Sequence, residues 1–231
     1  VLALAPFTPI LLAVLICWVF SVCVHEYAHA IVAYIGGDKS VKSKGYLSFN
    51  PLTYLDPITS LLLPLVILIM GGIPLPGGAV RIDVHALPNR HWRAMVSAAG
   101  PLSNFLLFLI LAFLVHPTTG LVSHASFDKP MWEILLGTMV VLELLSVFFN
   151  LIPIPPLDGY GIIEPYLPAN IRVFANNLGY WGFFIIFVLF FQLDAPLKWL
   201  MDAVDQMFKF LGLPFESTWR CYNIAFFGSS G

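Results

Sequence analysis

The sequence predicts an all-α polytopic membrane protein of about four to five transmembrane helices, with a re-entrant segment and a small β element at the membrane surface. Three observations lead there. Of 231 residues, 59% are hydrophobic and only 10% are charged, whereas a soluble domain carries about 25% charge. Mean hydropathy is +0.87. Four apolar stretches are long enough to cross a hydrocarbon layer of about 30 Å as helices: Thr8 to Ile35, Ala94 to Val115, Trp132 to Leu151 and, as the shortest, Leu178 to Leu193.

Taken in order, the first stretch is too long, and too rich in polar groups near its end, for a cleaved signal peptide. Ile58 to Ile73 is short, contains Pro64, and lies between Asp56-Pro57 and the run Gly71 to Gly78, so it reads as a short span or a hairpin that dips in and returns. Charge decides between the two. Lys39, Lys42 and Lys44 follow the first span, and Arg81, Arg90 and Arg93 precede the second long one; the positive-inside rule puts both on the cytoplasmic side. An even number of crossings must separate them, so residues 58–73 are expected to re-enter. Two long spans then return the chain to the cytoplasmic side near residue 152.

Between crossings, Val41 to Phe49 and Ala79 to Val84 alternate loosely and fit short strands. From Ala195 to Leu211, Leu197, Leu200, Met201, Val204, Phe208 and Leu211 recur at helical spacing against Lys198, Asp202, Asp205 and Lys209, the pattern of an interfacial amphipathic helix or a lid. The whole reads as one membrane-embedded domain, with a core over 8–170, an added span and amphipathic helix over 178–211, and a linker-like tail at 228–231. A net charge of −2 offers no basic surface, so direct nucleic-acid binding is not expected. Cys17, Cys23 and Cys221 lack metal-site spacing.

His25-Glu26-Tyr27-Ala28-His29 sits in the last third of the first span. An unpaired ionisable group at a bilayer centre costs at least about 2.5 kcal/mol, so such residues serve a pathway, a relay or a ligand set. Histidines four apart on a helix share a face and can bind one metal, and the intervening Glu is suited to take a proton from water. The bland reading is a polar cluster that only joins helices.

Two histidines leave zinc short of a third protein ligand. Asp158 qualifies by depth and side. It follows Asn150-Leu151-Ile152-Pro153-Ile154-Pro155-Pro156-Leu157, where three prolines must end or unwind the helix, and Gly159 allows a tight turn. A capped helix end is the plainer alternative.

His25-Glu26-Tyr27-Ala28-His29 together with Asn150 to Gly159 resembles the site-2 protease family of intramembrane zinc metalloproteases (peptidase family M50), the minimal prokaryotic type without a PDZ domain. Gly100-Pro101-Leu102-Ser103-Asn104 and Asn50-Pro51 to Pro57 are similar to further patterns of its prokaryotic members, and the likeness covers residues 10 to 170. It implies His25, His29 and Asp158 as ligands of one Zn2+ per chain and Glu26 as general base. It also implies that Asn150, Asn104 and Pro156 bind substrate or support the site. Tyr160, where a small residue is frequent, and Glu143, a carboxyl within the third long span, depart from the pattern.

The activity so implied is regulated intramembrane proteolysis. Its substrate would be a transmembrane protein, such as a membrane-tethered transcription factor, an anti-sigma factor or a signal-peptide remnant. The setting would be a prokaryotic cytoplasmic membrane and its lipid bilayer, with the active site nearer the cytoplasmic side. The competing classes are a zinc or proton transporter using the same ligands and a catalytically degenerate binding scaffold. Against transport, Glu26 is redundant as a ligand and no second ionisable chain crosses the membrane. His85, His91, His116 and His124 fall in loops and need no special role. Pairing of the two motifs predicts about one zinc per purified chain and clear loss in Asp158→Ala, measured side by side by elemental analysis.

Overall fold

The computed structural model describes residues 9–54, 78–119, 130–192 and 194–228. Among them the regular structure is entirely helical. Three helices are long and apolar enough to cross a membrane: α1 (Pro9–Gly36), α3 (Arg90–Val115) and α4 (Met131–Asn150). At 1.5 Å per residue they measure about 42, 39 and 30 Å, enough for a hydrocarbon core of about 30 Å. The remaining helices are α2 (Ser40–Ser43), α5 (Asp158–Ile163), α6 (Ala169–Gln192), α7 (Asp194–Phe210) and α8 (Phe215–Phe227).

Sharp local signals set the ends of the long helices. Asn89 caps α3 by accepting the backbone N–H groups of His91 (3.0 Å) and Trp92 (3.1 Å), which satisfies donors that an unpaired helix start leaves orphaned. At the end of α1, Gly37 takes a φ of 121°. Asp38 N–H then reaches back to Ala33 O (2.9 Å) and Gly37 N–H to Tyr34 O (3.3 Å), the paired closure that a left-handed residue after a helix permits.

Helix α1 packs along α3 and touches α4; α3 packs on α4 and on α5; α4 is also covered by α7 and α8. The buried Val204 and Phe208 of α7 meet Phe108, Ala112 and Val115 of α3 and Val140, Val141 and Leu144 of α4. Thus the amphipathic segment expected at 195–211 is a helix, but its apolar face is spent on the bundle. Phe215–Phe227 forms a further helix that the sequence reading passed over. Its Ala225 and Phe226 pack with Ile10, Leu11 and Val14 of α1 and Met139 and Leu142 of α4.

Neither run expected to be a strand is one. The stretch Val41 to Phe49 opens inside α2, because Asp38 Oδ1 accepts Ser40 N–H (2.9 Å) and turns the chain into a helical start. Tyr54 then hydrogen-bonds back to Tyr46 O (2.8 Å) and to Ser48 O. Residues 78–83 have no regular structure. Their backbone partners are scattered: Ala79 N–H to Tyr54 O (3.0 Å), Arg81 O from Lys44 Nζ (2.9 Å), and Asp83 N–H to Asp38 Oδ2 (2.8 Å). Single tethers to side chains and turns replace a ladder. Burial opposes ionisation of Asp38, but hydrogen bonds from Ser40 and Asp83 and the nearby Lys44 hold its carboxyl below the usual range. This clamp is therefore intact at neutral pH and weakens only as pH falls through that lowered value. The fourth apolar stretch, as far as Gln192, lies within α6, which starts earlier than expected, and the segment proposed to re-enter at 58–73 lies outside the described residues.

Helix α8 comes close to α4 at Gly137, where an added Cβ would lie 2.8 Å from Cys221 Sγ and 2.9 Å from its Cβ. Gly137→Ala should therefore destabilise by about 1–3 kcal/mol through overpacking, against the roughly 1 kcal/mol gain that the same change brings in an open helix. Reversible denaturation in mixed micelles reads the sign.

Candidate metal centre

His25 and His29 lie one turn apart on α1 and are buried, at 8% and 7% exposure. Their Nε2 atoms are 3.1 Å apart. Asp158, the first residue of α5, brings Oδ2 to 3.0 Å from His25 Nε2 and Oδ1 to 3.3 Å from His29 Nε2. These spacings match the edge of a tetrahedron of zinc ligands, about 3.3 Å when the metal–ligand bonds are near 2.05 Å. The three ligand atoms all fall within 4.8 Å of one another.

Asp158 arrives there because the chain reverses directly after α4. Leu151 and Ile152 close the helix with N–H bonds to Val147 O (3.1 Å) and Phe149 O (3.2 Å), and tight turns at Ile154 and Leu157 follow. The Pro155–Pro156 peptide is cis. Gly159 lies against the carbonyls of Leu151 and Ile152, and Gly161 against Ser97 of α3. Beyond α5, the Glu164–Tyr166 turn is tied to the start of α3: His91 Nδ1 and Tyr166 OH are 2.8 Å apart, and Arg90 lies over the Tyr166 ring.

The outer nitrogens of both rings are engaged, which turns their inner lone pairs to the centre. His29 Nδ1–H donates to Val96 O (2.7 Å), and His25 Nδ1–H to Asn104 Oδ1 (2.5 Å). Metal-binding histidines are oriented in this way by a partner on the other nitrogen. The space between the rings is kept open by Gly100, because a Cβ there would fall against Nε2 of both histidines. Donor chemistry, spacing and this cradle all fit a zinc ion.

Glu26 is buried beside the cluster, at 6% exposure, and its carboxylate accepts the N–H of Val80. Gly78 passes close over Glu26 Cγ. Of the remaining residues expected in the site, Asn104 stands within it. Asn150 is one step out, donating to Ser146 Oγ (3.3 Å), which also accepts from Asn104 (3.4 Å). Pro156 is exposed in the loop against which Gly182 of α6 packs. The sequence reading missed Ser21, Ser146, the Val96 carbonyl and the approach of Gly78 to Glu26. Ser21 was accessible as the residue four before His25 on one helix face; a backbone carbonyl leaves no sequence signal.

A polytopic helical chain with a His-Glu-x-x-His helix and a distant Asp closing one metal centre defines an intramembrane metallohydrolase. The chain is 37% identical over 196 residues to Rip2 of Mycolicibacterium smegmatis, named as a zinc metalloprotease, covering 85% of this chain and 73% of that one. Rip2 of Mycobacterium tuberculosis is 36% identical over 201 residues, with 85% and 73% covered. YwhC of Bacillus subtilis, also named as a zinc metalloprotease, is 35% identical over 225 residues, with 92% and 95% covered. The chain belongs to the family of these proteins, the site-2 protease family. No protein-family profile matches the chain, and no solved structure does.

If Gly100 keeps the metal position open, Gly100→Ala should retain the fold yet hold zinc roughly tenfold or more less tightly. Chelator competition on the purified variant, with its unfolding curve alongside, measures both.

Proposed function

We propose that the protein is a zinc-dependent intramembrane endopeptidase that hydrolyses peptide bonds within transmembrane segments. The observation that carries this reading is the meeting of His25, His29 and Asp158 next to the buried Glu26, about 10 Å along α3 from Arg93 by the rise from that residue to Gly100.

His25, His29 and Asp158 would hold the zinc. When bound, zinc lowers the pKa of a coordinated water to about 7 and polarises the scissile carbonyl. Glu26 takes the proton from the attacking water on its carboxylate and passes it to the leaving nitrogen. The amide of Asn150, beside the network but not part of the ligand set, is suited to donate to the developing oxyanion. Asn104 orients His25.

A helical substrate hides its scissile carbonyl in its own hydrogen bonds and must unwind to be cut. The irregular 78–83 segment, suspended over Glu26, supports a role as the edge against which an unwound stretch pairs. On this reading the β element at the surface forms only with substrate. The basic residues Lys39, Lys42, Lys44, Arg81, Arg90 and Arg93, flanking the ends of α1 and α3, support an active site nearer the cytoplasmic side of a prokaryotic cytoplasmic membrane. Helix α6 supplies a fourth span. Substrates of this reading are membrane-tethered transcription factors, anti-sigma factors or signal-peptide remnants.

In proteoliposomes with a transmembrane substrate, Glu26→Gln should lower hydrolysis by about 10²–10⁴-fold while zinc stays bound. Hydrolysis unaffected by Glu26→Gln would remove Glu26 as the general base, and zinc flux without hydrolysis in the wild type would replace the protease with a transporter. Ile82→Pro should lower turnover without zinc loss if residues 78–83 pair with substrate. Unchanged cleavage removes that edge from the mechanism.

A further inference from the structure

Glu143 of α4 is fully buried, at 1% exposure, in the middle of a membrane-crossing helix. Its Oε2 accepts Asn104 Nδ2–H at 2.8 Å, and Ser21 also hydrogen-bonds it. Through Asn104, it reaches His25.

The two ligand histidines are oriented by unlike partners. His29 faces a backbone carbonyl, which can only accept, so its Nδ1 must carry the proton and its Nε2 lone pair must be free. His25 faces an amide, which can present either oxygen or nitrogen. A reversed Asn104 would donate to Nδ1, move the ring proton to Nε2, and turn an N–H toward the metal position. Ser21 and Ser146 do not forbid this, because hydroxyls both donate and accept. Glu143 is the neighbour that supplies an acceptor oxygen to the amide nitrogen.

We propose that Glu143 is a positioning residue for the metal centre: by accepting from Asn104 Nδ2, it locks the amide with Oδ1 toward His25 and thereby sets the tautomer in which His25 Nε2 can bind zinc. This rests on the zinc reading of His25, His29 and Asp158. It assigns a function to a carboxyl, buried in a membrane-crossing helix, that the hydrolytic scheme leaves unused.

The test is zinc affinity of the purified full chain in detergent by chelator competition, with the visible spectrum of the cobalt-substituted protein as a second readout and unfolding of the metal-free form as a fold control. Glu143→Met should weaken zinc roughly 10–100-fold, the usual effect of removing a partner that orients a ligand, and perturb the cobalt bands. Adding Asn104→Asp should restore both, because a carboxylate presents only acceptors to His25 and needs no partner to orient it. Glu143→Gln, near-isosteric but an amide that can present nitrogen as readily as oxygen to Asn104, should weaken zinc in the same direction. Wild-type affinity in Glu143→Met or in Glu143→Gln, or failure of Asn104→Asp to restore the affinity lost in Glu143→Met, would each overturn the proposal. Zinc retained by wild type and lost in Asp158→Ala isolates such a failure to Glu143; absence of zinc from wild type would overturn the metal reading and this one together.

Discussion

Everything in this molecule turns on holding two imidazoles and a carboxylate within about 3 Å of one another inside an apolar bundle. Groups of this kind are costly to bury singly and acceptable when each has a partner. Here His25 and His29 are answered by Asp158, which lies 133 residues from His25 in the chain. The helices are arranged so that this meeting happens at the right depth. Helix α1 brings the histidines, α3 backs them with Val96, Gly100 and Asn104, and the reversal after α4 delivers the carboxylate.

Close approach is the means. Lipid chains are as apolar as the helices, so burial of apolar surface does little to drive helices together within a membrane, and intimate packing must do it. The small residues fall where the site needs proximity. Gly100 leaves room between the histidine rings, Gly161 and Ser97 bring α5 onto α3, and Gly182 lets α6 lie on the proline loop. The same device at Gly137 seats α8 on α4, away from the chemistry. Precision at the metal position thus comes from what these side chains omit.

Polar order extends outward from the ligands in one connected set. His25 leads to Asn104, and Asn104 to Glu143, Ser21 and Ser146, with Asn150 joined through Ser146. A buried network of this sort rigidifies its surroundings when every member is satisfied. It links α1, α3 and α4 at the depth of the site, so the orientation of a ligand and the packing of the helices are one problem. Glu143 looked anomalous as an isolated acidic residue in a span; in the fold it is the anchor of that set.

Much of this was legible in the residues. Helical periodicity and hydrophobic length located α1, α3 and α4 to within a few positions, because in lipid a span must satisfy its own backbone. His25, Glu26 and His29 were readable because i, i+4 spacing fixes a shared helix face, and Asp158 because prolines and charge parity confined where the chain could turn. The strands expected at Val41 to Phe49 and Ala79 to Val84 were not there, since alternation in so short a run is outweighed by one side-chain clamp, Asp38, that holds Ser40 just before the first segment and Asp83 within the second. The packing of α7, the existence of α8 and the partners of Asn104 depend on contacts between residues far apart in the chain, and no local pattern encodes these. What the sequence determined by itself was the set of chemical groups and the helices that carry them; what only the tertiary structure decided was their mutual orientation, because an amide or imidazole acquires its direction from the neighbour that packing places against it.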